Sequence, residues 1–313
     1  LSLHDALPIY HSNPNPSLKT PASKISKRTS FDSLQGRSYV LLVEKIQKRE
    51  AFFNINTFYE LNEEPLSTST TIGKAKENLT KNRYPDVLPN DSTLVSTSNN
   101  GYFNGNLVKF LDDDSNVPTY IATQAPLMST INDFWDVIFN SNTDTIVMLT
   151  NFIEQRRKKA DVYWPDESQP LEQFSDVTVK FLGLTDYEQA KFTIREFEIT
   201  KGDVSRIIKH FHFMSWPDHG VVDVEKFNAL LREVENLHQT GPLVVHCSAG
   251  IGRTGTFIAT HKARDLIKKG ATEINIFDMV NALREERAKS VQTKEQYQLI
   301  FNSISEFLVS EQI

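Results

Sequence analysis

Val224, Phe227, Leu230, Leu231, Val234 and Leu237 fall at steps of three and four, which predicts a helix over residues 223–238 with one buried face. Apolar faces also predict helices at about 37–50, 130–140, 276–287 and 294–308, and a helix-like stretch at 72–79. Shorter apolar or alternating runs predict strands at 101–108, 119–122, 145–149, 162–164, 177–184, 191–200 and 205–213. Strands and helices interleave with no repeat and no break in composition, so one α/β domain is the economical reading.

The start of the chain has no such pattern. Residues 10–30 are rich in Ser, Pro, Asn and Lys and almost lack apolar residues. They cannot bury enough surface to offset the entropy of ordering and are expected to be disordered, with Lys27-Arg28-Thr29-Ser30 a solvated linker. Residues 1–9 (LSLHDALPI) bear no relation to the rest of the chain and match a translated sequencing adapter, so a cloning or assembly artefact is expected there. The expected division is a disordered segment over 1–30 and one folded domain over 31–313.

The densest chemistry lies in residues 242–257. Leu243 to Val245 reads as a buried strand, a glycine-rich loop follows, and a helical pattern runs from about Arg253 to Lys269, with Gly270 as its stop. The only cysteine, Cys247, stands where the strand ends. Inward backbone N–H groups and the helix dipole suit such a loop to an anion, and a cysteine there is expected to react as its thiolate. Arg253 can reach round the loop with a planar fork that matches two phosphate oxygens. Gly250, Gly252 and Gly255 also satisfy G-x-G-x-x-G. A dinucleotide site has no use for the cysteine, however, and no second strand follows to complete a βαβ unit. The nucleotide-binding pattern G-x-x-x-x-G-K-[ST] has no match.

Composition narrows the reading further. The net charge of -6 argues against a general nucleic-acid binder. A lone cysteine excludes an intramolecular disulfide framework and suits a reducing compartment, so a cytoplasmic location is expected, with the nucleus left open. Apolar runs are too short for a membrane span.

His246-Cys247-Ser248-Ala249-Gly250-Ile251-Gly252-Arg253-Thr254-Gly255 resembles the signature of the protein tyrosine phosphatases, His-Cys-x-x-Gly-x-x-Arg-Thr-Gly. Four further stretches, in the family's order, extend the resemblance over roughly residues 37–308. Lys81-Asn82-Arg83-Tyr84-Pro85-Asp86-Val87 looks like the phosphotyrosine-recognition loop, and Tyr120-Ile121-Ala122-Thr123-Gln124-Ala125-Pro126 like a second family motif. Trp216-Pro217-Asp218-His219-Gly220 resembles the mobile acid loop, and Val291-Gln292-Thr293, with Gln296-Tyr297, the glutamine loop. The resemblance is to catalytic domains of the non-receptor kind. It implies one domain with a large, twisted, mixed β-sheet and helices on both faces.

The resemblance also implies roles. Cys247 would be the nucleophile. Arg253 and the backbone N–H groups of Ser248, Ala249, Gly250, Ile251, Gly252 and Arg253 would hold the phosphoryl oxygens. Thr254 would offer its hydroxyl to the thiolate or the intermediate, and His246 would orient the loop. Asp218 would protonate the leaving oxygen from the loop that Trp216 opens. Gln292 would place the attacking water, helped by Gln296. Tyr84 would wall a pocket too deep for phosphoserine, and Asp86 would accept hydrogen bonds from substrate backbone. Glu154 would pin Arg253, Lys159 would contact Asp218, and Arg284 and Arg287 would be structural. Pro85 replaces a position that is often basic, Asn90 stands near where some members have an aromatic, and Val222 replaces a proline after the acid loop.

The expected function is hydrolysis of phosphotyrosine through a phosphocysteine intermediate. The expected partners are phosphotyrosine proteins, with no cofactor, metal, nucleic acid or membrane segment, and the chain is expected as a monomer. A catalytically weak phosphotyrosine-binding module is the alternative, although such modules typically lose the cysteine, arginine or acid. A phosphoserine or phosphoinositide phosphatase would need a shallower or more basic pocket than Tyr84 and Ser248-Ala249 suggest.

Overall fold

A computed structural model describes residues 40–51, 53–63, 68–110, 119–216, 222–237 and 239–311. The expected disordered segment over 1–30, the artefact over 1–9 and the loop residues 217–220 lie outside the described residues.

The chain first gives β1 (Leu41–Leu42), α1 (Val43–Gln47), α2 (Thr57–Glu63), α3 (Thr71–Lys74), β2 (Leu94–Ser96), β3 (Tyr102–Val108), β4 (Tyr120–Thr123) and α4 (Ile131–Asn140). Next come β5 (Thr145–Met148), the small hairpin β6 (Ile153–Glu154) and β7 (Arg157–Lys158), then β8 (Leu171–Phe174), β9 (Val177–Tyr187), β10 (Phe192–Lys201) and β11 (Val204–Phe213). The remaining elements are α5 (Val224–Glu235), β12 (Leu243–His246), α6 (Gly252–Lys268), β13 (Glu273–Ile274), α7 (Ile276–Glu286) and α8 (Lys294–Ser310).

Among the described residues, nine strands form one sheet in the order β2-β3-β4-β12-β5-β11-β10-β9-β8. The centre, β4-β12-β5-β11, is parallel, and both wings are antiparallel. Every residue of β4, β5 and β12 is buried, as a strand covered on both faces requires. Alternation then sorts their side chains. Tyr120, Ala122, Val147, Leu243 and Val245 join the core that contains residues of α5 to α8. Ile121, Ile146, Met148 and Val244 join the opposite core, with Phe134, Trp135 and Ile138 of α4. The sheet thus carries helices on both faces, and β12 delivers Cys247 at the end of its central strand.

Three expectations need correction. Residues 41–42 are not helical: they pair with Glu273–Ile274, Val43 N–H donates to Thr272 (2.9 Å), and the helix shrinks to Val43–Gln47. The stretch at 72–79 keeps only the turn Thr71–Lys74, followed by a 3-10 turn at Leu79–Lys81. Residues 162–164 form no strand. Tyr163 and Trp164 are buried as aromatic packing, and the Tyr163 carbonyl is satisfied by Trp135 Nε1–H at 2.6 Å instead of a neighbouring strand. The edge strands β2 and β8 and helix α2 were not predicted; they are short, and β2 and β8 are half exposed.

Candidate active site

The loop after β12 is held from outside by its carbonyl groups. His246 Nδ1 lies 3.0 Å from the Cys247 oxygen, and Ala125 N–H donates to Ser248 O at 3.0 Å. Arg287 donates through Nη2 to Ala249 O (3.2 Å) and through Nε to Gly250 O (3.1 Å). Val291 N–H (3.2 Å) and Gly255 N–H (2.9 Å) take Ile251 O. In a planar trans peptide the N–H points opposite to the carbonyl. Five carbonyls turned outward therefore turn the N–H groups of residues 248–252 to the inner side. Gly250 N–H reaches Cys247 Sγ at 3.3 Å. Gly250 has φ +73, and a Cβ there would stand 2.1 Å from Thr123 O, so only glycine fits. Helix α6 begins at Gly252 and adds the positive end of its dipole.

Arg287 is fully buried, and burial pulls its guanidinium down to about 10. It also donates to Asn106 (3.0 Å) and Asn104 (2.9 Å), and Asn104 in turn donates to Asn82 (2.8 Å), ahead of Tyr84. Arg284 donates to Ser290 O, Leu61 O and Val291 O and so shapes the turn before Gln292.

Arg253 donates through Nη1 to Glu154 Oε1 (2.6 Å) and Leu149 O (3.1 Å), and through Nη2 to Glu154 Oε2 (2.9 Å). Among the described residues this leaves Nε–H and one Nη2–H for a ligand. Burial pushes the Glu154 carboxyl up, but hydrogen bonds and charge from Arg253, with Asn151 N–H and Thr150, outweigh it and hold it below the usual range. Trp216 is buried, and the Arg253 guanidinium lies 5.8 Å from its ring centre.

A cleft of about 370 Å³ is lined by Cys247, Ser248, Ala249 and Arg253 together with Tyr84, Asp86, Glu154, Lys159, Gln292 and Gln296. Ser248 Oγ donates to Lys159 O (2.7 Å), so Tyr84 O–H donates to Ser248 Oγ (2.8 Å) and ties the aromatic wall to the loop. Asp86 is exposed at the rim, with Lys289 Nζ 3.6 Å from its carboxylate. Gln292 N–H donates to Gln296 Oε1 (2.8 Å), and both glutamines lie against Gly252. Thr254 Oγ1 is buried with no hydrogen-bond partner among the described residues. Asp218, and with it any contact to Lys159, lies outside the described residues. No cluster of potential metal ligands occurs among the described residues.

Sequence reasoning missed two contributors. Arg83 is buried against Asp161 (2.8 Å) and donates to Ala125 O (3.0 Å) and Pro126 O (2.8 Å), locking the Tyr84 loop to the segment that supports Ser248. Tyr163 bonds His246 (2.6 Å) behind the loop. Arg83 was visible inside its motif, and Tyr163 in the family-like Tyr163-Trp164-Pro165 after Lys159, but neither carried a role.

The Cys247 thiol, with loop N–H groups turned inward around it, thus shares one cleft with a pinned guanidinium. The family model described as Protein-tyrosine phosphatase matches residues 78–306, and the chain belongs to this family. It is 38% identical over 269 residues to tyrosine-protein phosphatase non-receptor type 20 of Mus musculus, covering 84% of this chain and 62% of that protein. The Homo sapiens protein of the same name is 36% identical over 268 residues, with the same two shares, 84% and 62%. Receptor-type tyrosine-protein phosphatase eta of Gallus gallus is 36% identical over 247 residues, covering 75% of this chain and 17% of that protein. The chain thus spans less than two thirds of the length of these relatives. No helix among the described residues is long and apolar enough to cross a membrane.

Proposed function

We propose that this chain hydrolyses phosphotyrosine in proteins in two steps through Cys247. The observation that carries the reading is Cys247 Sγ beneath the inward N–H groups, with Arg253 held by Glu154 beside it. The thiolate attacks phosphorus, and the bond to the tyrosine oxygen breaks. Arg253 and the loop N–H groups take up the charge on the phosphoryl oxygens without reorganising. Asp218 gives its proton to the leaving tyrosine oxygen. Gln292, with Gln296, then places a water that attacks the phosphocysteine, and Asp218 takes its proton. Thr254, buried behind the sulfur's loop, donates to the departing thiolate. Tyr84, bonded to Ser248, supports selection of phosphotyrosine, because its ring flanks a cleft that a phosphoserine side chain is too short to fill.

The test is hydrolysis of an aryl phosphate and of a phosphotyrosine peptide in the presence of a chelator. Activity without added metal is expected, and Cys247→Ser is expected to abolish it. Full activity of the serine variant, or dependence on a divalent ion, would refute the mechanism.

A further inference from the structure

Behind the cradle, four groups stand in line: His210, Tyr163, His246 and the Cys247 carbonyl. Tyr163 Oη lies 2.7 Å from His210 Nε2 and 2.6 Å from His246 Nε2, and His246 Nδ1 lies 3.0 Å from the Cys247 oxygen. All three side chains are buried.

The protons of this line can be counted. A carbonyl only accepts, so His246 Nδ1 carries hydrogen. Burial brings His246 down to about 4, so at neutral pH the ring is neutral and its Nε2 is a bare acceptor. Tyr163 has one hydroxyl proton, which goes to His246. Its oxygen then accepts from His210 Nε2–H. That leaves His210 Nδ1 unprotonated, and this atom is buried with no hydrogen-bond partner among the described residues. It sits in a nest of rings from Trp164, Phe197 and His212. An orphaned lone pair is tolerated there better than an orphaned N–H.

The reverse direction fails at the Cys247 end. It would leave a bare His246 Nδ1 facing the Cys247 carbonyl, and the carbonyl would lose its donor. The Cys247 carbonyl therefore sets the direction of the whole line, and His210 Nε2–H completes it.

We infer that His210, remote from the cleft, is a positioning residue for the proposed reaction: its Nε2–H directs Tyr163 onto His246, and His246 holds the Cys247 carbonyl outward and the Ser248 N–H inward. The inference rests on the phosphatase reading of Cys247.

Two measurements test it. Histidine 15N spectra of the unaltered protein at neutral pH are expected to show His246 as the Nδ1–H form and His210 as the Nε2–H form. An Nε2–H or doubly protonated His246 would overturn the proposal, whatever the variants do. The second is a double-mutant cycle. His210→Phe keeps the ring and removes the donor. It is expected to lower kcat on a phosphotyrosine peptide about tenfold, less than the roughly 10²–10³ of an oxyanion donor lost outright, with KM nearly unchanged. In a Tyr163→Phe background the line is already cut, so His210→Phe is expected to cost less than about twofold more. Equal losses in both backgrounds, or no loss in either, would overturn the proposal. An unaltered protein that leaves the peptide intact while its spectra match would refute the phosphatase reading instead.

Discussion

Glu154 grips Arg253 with two hydrogen bonds, 2.6 and 2.9 Å long, from a hairpin far away in sequence. A guanidinium held on one edge presents its other edge in a fixed plane, which is what recognition of two phosphoryl oxygens requires.

Glu154→Gln is therefore expected to leave the fold intact and to lower kcat/KM by about 10²-fold, the scale of loss for a misplaced catalytic group. Steady-state kinetics with an aryl phosphate, beside a thermal melt, check this. A loss of stability with unchanged kcat/KM would mean that the pair serves the fold alone.

Gly252 separates the two chemical steps. A Cβ there would meet Gln292 Oε1 at 2.6 Å and Gln296 Nε2 at 2.9 Å, both ends of flexible side chains. Gly252→Ala should displace the glutamines and leave Cys247 and Arg253 in place. The expected result is a burst of released phenol and then a turnover slowed about tenfold, because the second step is the one impaired. Stopped-flow kinetics would detect it; a slowed burst phase would place the damage in the first step.

Tyr84 combines a ring and a hydroxyl bonded to Ser248 (2.8 Å). Tyr84→Ala is expected to raise KM for a phosphotyrosine peptide about tenfold, through loss of the stacking wall. Tyr84→Phe keeps the wall and should stay within about threefold of the parent, the net worth of one hydrogen bond. If both variants behave alike, the hydroxyl rather than the ring governs recognition.

Burial lowers His212, His246 and His261 to about 4 and holds His210 well below its ordinary range. In the unfolded chain each returns to about 6.5. Between those values the unfolded chain binds more protons than the native one, so stability rises with pH there. Stability is expected to fall as the pH drops below about 6.5, by up to about 1.4 kcal/mol per pH unit for each histidine that charges on unfolding. Urea unfolding from about pH 7.5 to 5.5 measures it. A flat profile would show that these rings bind protons as readily in the native state as in the unfolded chain.

The strand, loop and helix around Cys247 were legible because each part is signalled by adjacent residues. The central strands were legible too, since burial on both faces leaves unbroken apolar runs. What escaped depends on distant partners. Leu41 and Leu42 look helical until Glu273 and Ile274 are beside them. The apolar run at Val162 to Trp164 looks like a strand, but its aromatic rings fill a gap under the sheet. Only the resemblance marks Arg287 as structural, because by itself it has the composition of a surface residue. Its burial is set by the carbonyls of Ala249 and Gly250 and by Asn104 and Asn106, nearly two hundred positions earlier. The line from His210 to Cys247 depends on hydrogen positions, which no spacing rule encodes.

The place of β12 between β4 and β5 has a consequence for biosynthesis. The ribosome completes β5 at Met148, but the strand that separates it from β4 begins only at Leu243. Until then β4 and β5 each offer an unpaired edge to a slot that only later residues can fill, and such edges invite pairing with other chains. A nascent chain stalled before β12 should therefore need a holdase, whereas one released after α8 should not.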